Sequence, residues 1–301
     1  MTAAADTARA VQVRAEVLAN RTVGAYQHLT VVATDIARHA RPGQFIAARI
    51  GDGDGARILR RAFAIYQVSP TGVYGGTVEF IVGAKGEGSR WVAARRPHES
   101  IDLVGPLGRP FSLPREPAAA VLVGGGYGSA PLFPLAAELH ERGCQVDMVL
   151  GAGSEDRLFG ALEAKRISTH VAFTTDDGSY GARGRVSDVL PALMDRAGSR
   201  AVYACGPMPM LRAVAEIAAA RGVPSQVAVE ESMACGIGVC MTCVLPIVGD
   251  DGVTRMARSC VEGPVFRGGR VRFDALGTVP PDAFGAPGAP QPAPAAEGAR
   301  A

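Results

Sequence analysis

Cys235, Cys240 and Cys243 fall within nine residues, and Cys260 follows after sixteen more, giving the spacing C-x4-C-x2-C-x16-C. The segment reads as loop, and a loop that carries three thiols must wrap around what they bind. A C-x4-C-x2-C run with a distant fourth cysteine is the plant-type arrangement for a 2Fe-2S cluster, in which each iron takes two thiolates. Gly236 and Gly238 lie between the first two cysteines. Without a Cβ they let the backbone close in and aim N–H groups at sulfur. The rival occupant is a structural zinc on four cysteines, which usually pairs two C-x2-C knuckles; here there is one, Cys240–Cys243. Of the other two cysteines, Cys144 reads as packed core, and Cys205, at the end of a strand-like run, is open to packing and to ligand contact.

Composition narrows the class. The 301 residues suffice for two domains and a third small one. A net charge of +2 without a basic block gives no sign of a nucleic-acid partner or an anionic membrane surface. No apolar run reaches the roughly 18 residues of a membrane span, and the opening MTAAADTARAVQVRAEV has no apolar signal core. The expectation is a cytoplasmic protein, where thiols stay reduced and clustered cysteines serve metal or redox chemistry.

Organisation follows from periodicity. Residues 1–10 read as a disordered leader. From 11 to 115, short β-branched runs (VQVRAEVLAN, HLTVVATD, GQFIAARI, RRAFAIYQV, TVEFIVGA, SIDLVGPLG) alternate with turn residues, which predicts a closed antiparallel barrel or a sandwich. From 116 to 225, strand-like and helical stretches alternate, which predicts a parallel-sheet, Rossmann-like α/β domain with ligands at the strand ends. Residues 226–273 form the small cysteine domain, and the Pro/Ala-rich residues 274–301 read as a disordered tail. The fold class is thus multidomain, α/β plus β.

Within the α/β part, VLVGGGYGSAP places Gly124, Gly125, Gly126 and Gly128 between a strand and a helix, where backbone N–H groups suit a pyrophosphate. The match to G-x-G-x-x-G is incomplete, so a glycine-rich turn without a ligand stays open. TTDDGSYG and Cys205-Gly206-Pro207 would share the ligand edge of the sheet, with Cys205 beside a nicotinamide. Glu155 and Asp156 would repel a 2′-phosphate and Arg157 would attract one, leaving NAD against NADP open. In the barrel, Arg60 and Arg61 suit a phosphate or an anionic flavin, GAKGEGSRW is a glycine turn opening a short helix, and GPLGRPF is a rigid loop.

Together, RRAFAI, GEGS, GPLG, GGGYGSAPL, TDDGSYG, ACGPMPML and above all EESMACGIGVCMTC, spanning residues 60–266, resemble the ferredoxin–NADP reductase superfamily. Within it the chain is similar to the family of electron-transfer subunits of class 1B dihydroorotate dehydrogenase. The resemblance implies electron passage from an FMN-containing catalytic subunit, which oxidises dihydroorotate to orotate in pyrimidine biosynthesis. The route runs through a 2Fe-2S cluster and FAD to NAD, in a heterotetramer of two copies of each subunit. It further implies that Arg61, Ala62, Phe63 and Ala64 line the flavin ring, that Ile81, Val82 and Gly83 hold the middle of FAD, and that Gly88 and Ser89 cradle its pyrophosphate. Cys235, Cys240, Cys243 and Cys260 would ligate the cluster. Two departures stand out. Ala62 and Ala64 replace the Pro and Ser of the ring-contacting motif, removing a hydrogen bond worth on the order of 1 kcal/mol. Gly83 stands where relatives have a cation, a charge that Lys85 or Arg90 could supply.

No catalytic dyad is expected. His28, His39, His98, His140 and His170 are scattered without carboxylate or cysteine spacing, and electron transfer through bound cofactors needs no acid–base pair of its own. Two other readings stand beside this one: a related reductase subunit for a sulfide dehydrogenase or hydrogenase partner, and a non-enzymatic, zinc-containing nucleotide sensor.

Overall fold

A computed structural model describes residues 10–51, 58–287 and 289. Apart from residue 10, the expected leader lies outside the described residues, as do 288 and 290–301 of the expected tail. Among the described residues no helix is long and apolar enough to cross a membrane.

All six β-type runs of the first part become strands: β1 (Val11–Val23), β2 (Tyr26–Val32), β3 (Phe45–Ala48), β4 (Arg61–Ser69), β5 (Thr77–Val82) and β6 (Ser100–Leu107). They close into an antiparallel barrel in the order β1-β2-β5-β4-β3-β6. Every second residue of a strand faces inward, so Leu29, Val31, Ile46, Phe80, Ile101 and Leu103 form the filling, all fully buried. Two short helices, α1 (Thr34–Ala37) and α2 (Glu87–Ala93), lie in the barrel connections.

The second part holds β7 (Ala119–Gly125), α3 (Leu132–Glu141), β8 (Gln145–Ala152), α4 (Ala161–Ile167), β9 (Val171–Thr175), β10 (Ala182–Arg183), α5 (Val186–Ala197), β11 (Ala201–Cys205), α6 (Met208–Ala220) and β12 (Ser225–Ala228). Strand β7 is buried on both faces, as a central parallel strand must be. Ala120 and Leu122 meet α3, while Val121 and Val123 meet α5 and α6.

The third part is the hairpin β13 (Val244–Val248) and β14 (Thr254–Arg258), followed by β15 (Val265–Arg267). Here the expected boundaries need correcting. The division at 225/226 falls inside β12, and β15 pairs antiparallel with β12, giving one seven-stranded sheet in the order β10-β9-β8-β7-β11-β12-β15. The expected disorder from residue 274 does not hold as far as residue 286. Arg272 clamps Asp282 at 2.7 Å, the Phe284 N–H donates to the Thr254 carbonyl at 2.7 Å, and Ala283 is fully buried. Chain rich in Pro, Ala and Gly reads as disordered on average, yet a small apolar side chain at the right position packs.

The barrel docks on the sheet through the β1–β2 turn and through β4. Ala25 N–H donates to the Asp156 carbonyl at 2.7 Å, and the Tyr26 hydroxyl to the Arg157 carbonyl at 2.9 Å. Tyr66 donates to Glu163 at 2.6 Å and packs edge-on against Phe133 and Phe159. Gly24 has φ +55°, and a Cβ there would overlap the Asp156 carbonyl oxygen. Gly252, with φ +78°, has open space around it. Gly252→Ala should cost only the left-handed backbone, ~1–2 kcal/mol. Gly24→Ala should lower the thermal midpoint further by also parting the barrel from the sheet; equal midpoints would mean that this contact contributes nothing.

Candidate redox site

One cleft of about 320 Å³ gathers residues from all three parts. Its barrel wall is Arg61, Ala62, Phe63, Ala64, Ile81, Gly83, Lys85 and Ser89. The register Ala48↔Arg61, Ala47↔Ala62 aligns this stretch of β4 beside β3. Arg60, paired with the sequence's other basic candidate, is drawn elsewhere: it ion-pairs with Asp102 and donates to the Ala47 and Asp102 carbonyls at 3.2 Å. It is thus a structural cation of the barrel, and only Arg61 reaches the cleft. Val82 is fully buried in the barrel filling, so at that position only the backbone can serve a ligand. Gly88 lies under Arg61, where a Cβ would come within 2.8 Å of Nε. Ser89 closes its turn by accepting from the Gly86 N–H at 3.0 Å. Of the two cations considered in place of Gly83, Lys85 lines the cleft with Nζ 5.2 Å above the Tyr127 ring, whereas Arg90 donates to the Lys85 carbonyl at 2.9 Å.

The sheet wall is Tyr127, Gly128, Ala130 and Cys205. The glycines before it are fixed largely by the protein's own packing. A Cβ on Gly124 would strike Ser129 and Leu150, one on Gly125 would strike Met210 and Pro207, and one on Gly128 would lie 2.9 Å from Gly206 Cα. Gly126, at φ +57°, turns the chain into a short 3-10 turn (Gly126–Ser129) before α3 begins. Pro207 caps α6. Burial, together with nearby Glu230, pushes the Cys205 thiol up to about 12, so it stays protonated and uncharged at neutral pH.

The third wall comes from the segment leading to the cysteines: Glu230, Glu231 and Met233. Sequence reasoning did not single these out, although the two carboxylates stand immediately before the thiols. It also passed over Tyr127, whose hydroxyl donates to Glu230 at 3.1 Å and whose ring lies within 3.2 Å of a Cβ placed on Gly83. That one side chain touches the barrel, the glycine turn and the approach to the cysteines. Burial raises the pKa of Tyr127 and of Glu231.

The four thiols come as two pairs. Cys235 and Cys240 Sγ atoms lie 3.3 Å apart, and the Cys240 N–H points at Cys235 Sγ at 3.4 Å. Cys243 and Cys260 are buried together against Phe45, Ala47 and Leu107 of the barrel. Among the described residues no three His, Cys, Asp or Glu side chains converge on one point that a single ion would occupy. Two thiols per metal is what a two-iron cluster needs, so the donor set fits that group. Hydrogen bonds from Thr242, helped by Cys235, pull the Cys240 thiol down to about 6, while burial and Cys243 push Cys260 up to about 12. Cys260 thus needs positive charge beside it before its sulfur can ionise at neutral pH, which metal binding supplies with release of a proton. The histidines stand apart from the cleft: His28, His98 and His170 pair with carboxylates on barrel and sheet strands, Glu79 on β5, Glu16 on β1 and Asp147 on β8.

Residues 230–272 match the model of the iron-sulfur cluster binding domain of dihydroorotate dehydrogenase B, and residues 122–216 that of the oxidoreductase NAD-binding domain. The dihydroorotate dehydrogenase B (NAD(+)) electron transfer subunit of Desulforamulus reducens is 36% identical over 235 residues, covering 78% of this chain and 87% of the relative. That of Bacillus caldolyticus is 38% identical over 246 residues, covering 81% and 91%. Among solved structures, a NADH-dependent reduced ferredoxin-NADP oxidoreductase studied for flavin-based electron bifurcation superimposes with a TM-score of 0.76. It is 30% identical and is matched over 88% of this chain and 91% of its own. The chain belongs to the family of the electron transfer subunit of dihydroorotate dehydrogenase B (NAD(+)).

Proposed function

We propose that this chain carries electrons from an FMN-containing, dihydroorotate-oxidising partner subunit to NAD+, with two copies of each subunit in the complex. The observation that carries the proposal is the cleft in which barrel, dinucleotide sheet and cysteine segment share one set of walls. Cys235, Cys240, Cys243 and Cys260 would hold the 2Fe-2S cluster. FAD would lie on the barrel wall, with Arg61, Ala62, Phe63 and Ala64 at its ring, Ile81, Gly83 and the Val82 backbone along its middle, and Gly88 and Ser89 at its pyrophosphate. The flavin chemistry named for the 30%-identical structure supports that choice. When bound, the two groups supply the electron chemistry, single electrons at the irons and paired transfer to nicotinamide at the flavin.

The chain's own work is placement. Gly126 and Gly128 bring backbone toward the dinucleotide, supported from behind by Gly124 and Gly125. Cys205, with Gly206 and Pro207, offers an uncharged, partly buried surface to the nicotinamide. Lys85 supplies the positive charge that Gly83 cannot. The apolar packing of Phe45, Ala47 and Leu107 on Cys243 and Cys260 keeps water from the buried thiols. A cytoplasmic setting keeps all four thiols reduced for assembly.

The crown of the cysteine loop supports a partner docking there. Ile237, Val239 and Met241 are 52%, 80% and 58% exposed, between and beside the ligands. Large apolar side chains held out in water on one short loop suit an interaction surface, and electrons cross most readily where the partner sits closest to the irons.

Three outcomes are expected. Cys240→Ser should abolish the visible iron–sulfur absorption and the EPR signal of the reduced protein; an unchanged signal would refute the ligand assignment. The isolated chain, loaded with FAD, should reduce artificial acceptors with NADH while leaving dihydroorotate untouched, and robust dihydroorotate turnover would overturn the division of labour. Val239→Asp should weaken co-elution with the catalytic subunit at least tenfold while its absorption spectrum stays that of the wild type; undiminished co-elution would move the docking surface elsewhere.

A further inference from the structure

Arg258 ends β14 two residues before Cys260, and its side chain turns toward the cysteine loop. Its Nη1 donates to the Gly238 carbonyl at 2.9 Å, in the middle of the segment between Cys235 and Cys240. Glu262 answers from the other side. Its carboxylate accepts the Arg258 backbone N–H and lies 3.5 Å from Arg258 Nε. The Arg258 carbonyl in turn accepts from the N–H groups of Val261 and Glu262, at 3.1 and 2.8 Å. Residues 258–262 therefore close into one tight turn around Cys260. Gly238 presses on that turn, since a Cβ there would lie 2.5 Å from Val261 Cγ2. One guanidinium thus joins the loop that carries three thiols to the turn that carries the fourth.

The consequence is both mechanical and electrostatic. A cluster ligated from two separate segments is only as well held as the segments are held to each other, and groups around the ligands tune metal sites strongly. Reduction adds one negative charge, which a nearby cation favours and a nearby carboxylate opposes. The Arg258 and Glu262 side chains are 35% and 41% exposed, so solvent screens them in part without cancelling them.

We propose that Arg258 is a positioning residue of the iron–sulfur site: it fastens the three-cysteine loop to the Cys260 turn, and its charge, partly offset by Glu262, makes the cluster easier to reduce. This rests on the iron–sulfur reading above. Three variants test it in the full complex, by EPR-monitored redox titration and by the rate at which chelator bleaches the visible absorption. Arg258→Gln should shift the midpoint potential to more negative values and speed bleaching several-fold. Arg258→Lys, which keeps the charge but loses the planar fork, should hold the potential close to wild type while bleaching faster. Glu262→Gln, which keeps an acceptor for the Arg258 N–H but loses the charge, should move the potential the opposite way. Potentials that stay put in Arg258→Gln and Glu262→Gln, or move in the same direction, overturn the proposal. Should Arg258→Gln hold no cluster, Glu262→Gln decides: a more positive potential supports the proposal and any other result overturns it. Wild-type complex lacking iron and acid-labile sulfide would bring down the iron–sulfur reading itself, whereas a loaded wild type with unmoved variants defeats only the role of Arg258.

Discussion

The pairing of β12 with β15 is the constraint on which the site depends. Gln226 faces Arg267, Val227 faces Phe266 and Ala228 faces Val265, and one further bond joins the Val229 N–H to the Pro264 carbonyl at 2.9 Å. The chain between them is therefore an excursion whose two ends are held on neighbouring strands, roughly 5 Å apart. Because it leaves from the sheet edge that also carries Cys205, Glu230 and Glu231 have no choice but to face the cleft. The cysteine loop then lands on the barrel at Phe45, Ala47 and Leu107. Three cofactor-holding regions meet because a single ladder brings the third one home.

Much of this was legible in the sequence. The barrel strands were readable because β-branched alternation and turn residues agree along their whole length, and the sheet because apolar runs and helices alternate. The cysteine pattern was readable because spacing alone restricts which thiols can share a metal. What escaped depended on partners far along the chain. Arg60 and Arg61 are neighbours of identical type, and only Asp102, from another strand, decides that one belongs to the barrel and the other to the cleft. Tyr127 sits among glycines that dominate any reading of its segment, yet it is the side chain that spans the walls. The three residues of β15 are too few to announce a strand, and residues 274–286 are hidden by a composition whose average says disorder.

The glycine cluster shows a different kind of ambiguity. Gly124, Gly125 and Gly128 are required where the turn after β7 presses against Ser129, α6 and the turn after β11. A motif associated with phosphates is thus also a solution to crowding among protein atoms. The ligand and the packing make compatible demands, so neither can be inferred from glycine alone.

The barrel rests on the loop after β8 through carbonyl oxygens, those of Asp156 and Arg157, rather than through their side chains. Main-chain acceptors are present whatever residue stands there. Substitutions at 156 and 157 can therefore accumulate, altering the charge offered at that rim of the dinucleotide domain, without loosening the joint between the two halves. The joint answers to the course of the main chain there, and the rim answers to the side chains, so one stretch of loop serves two independent demands.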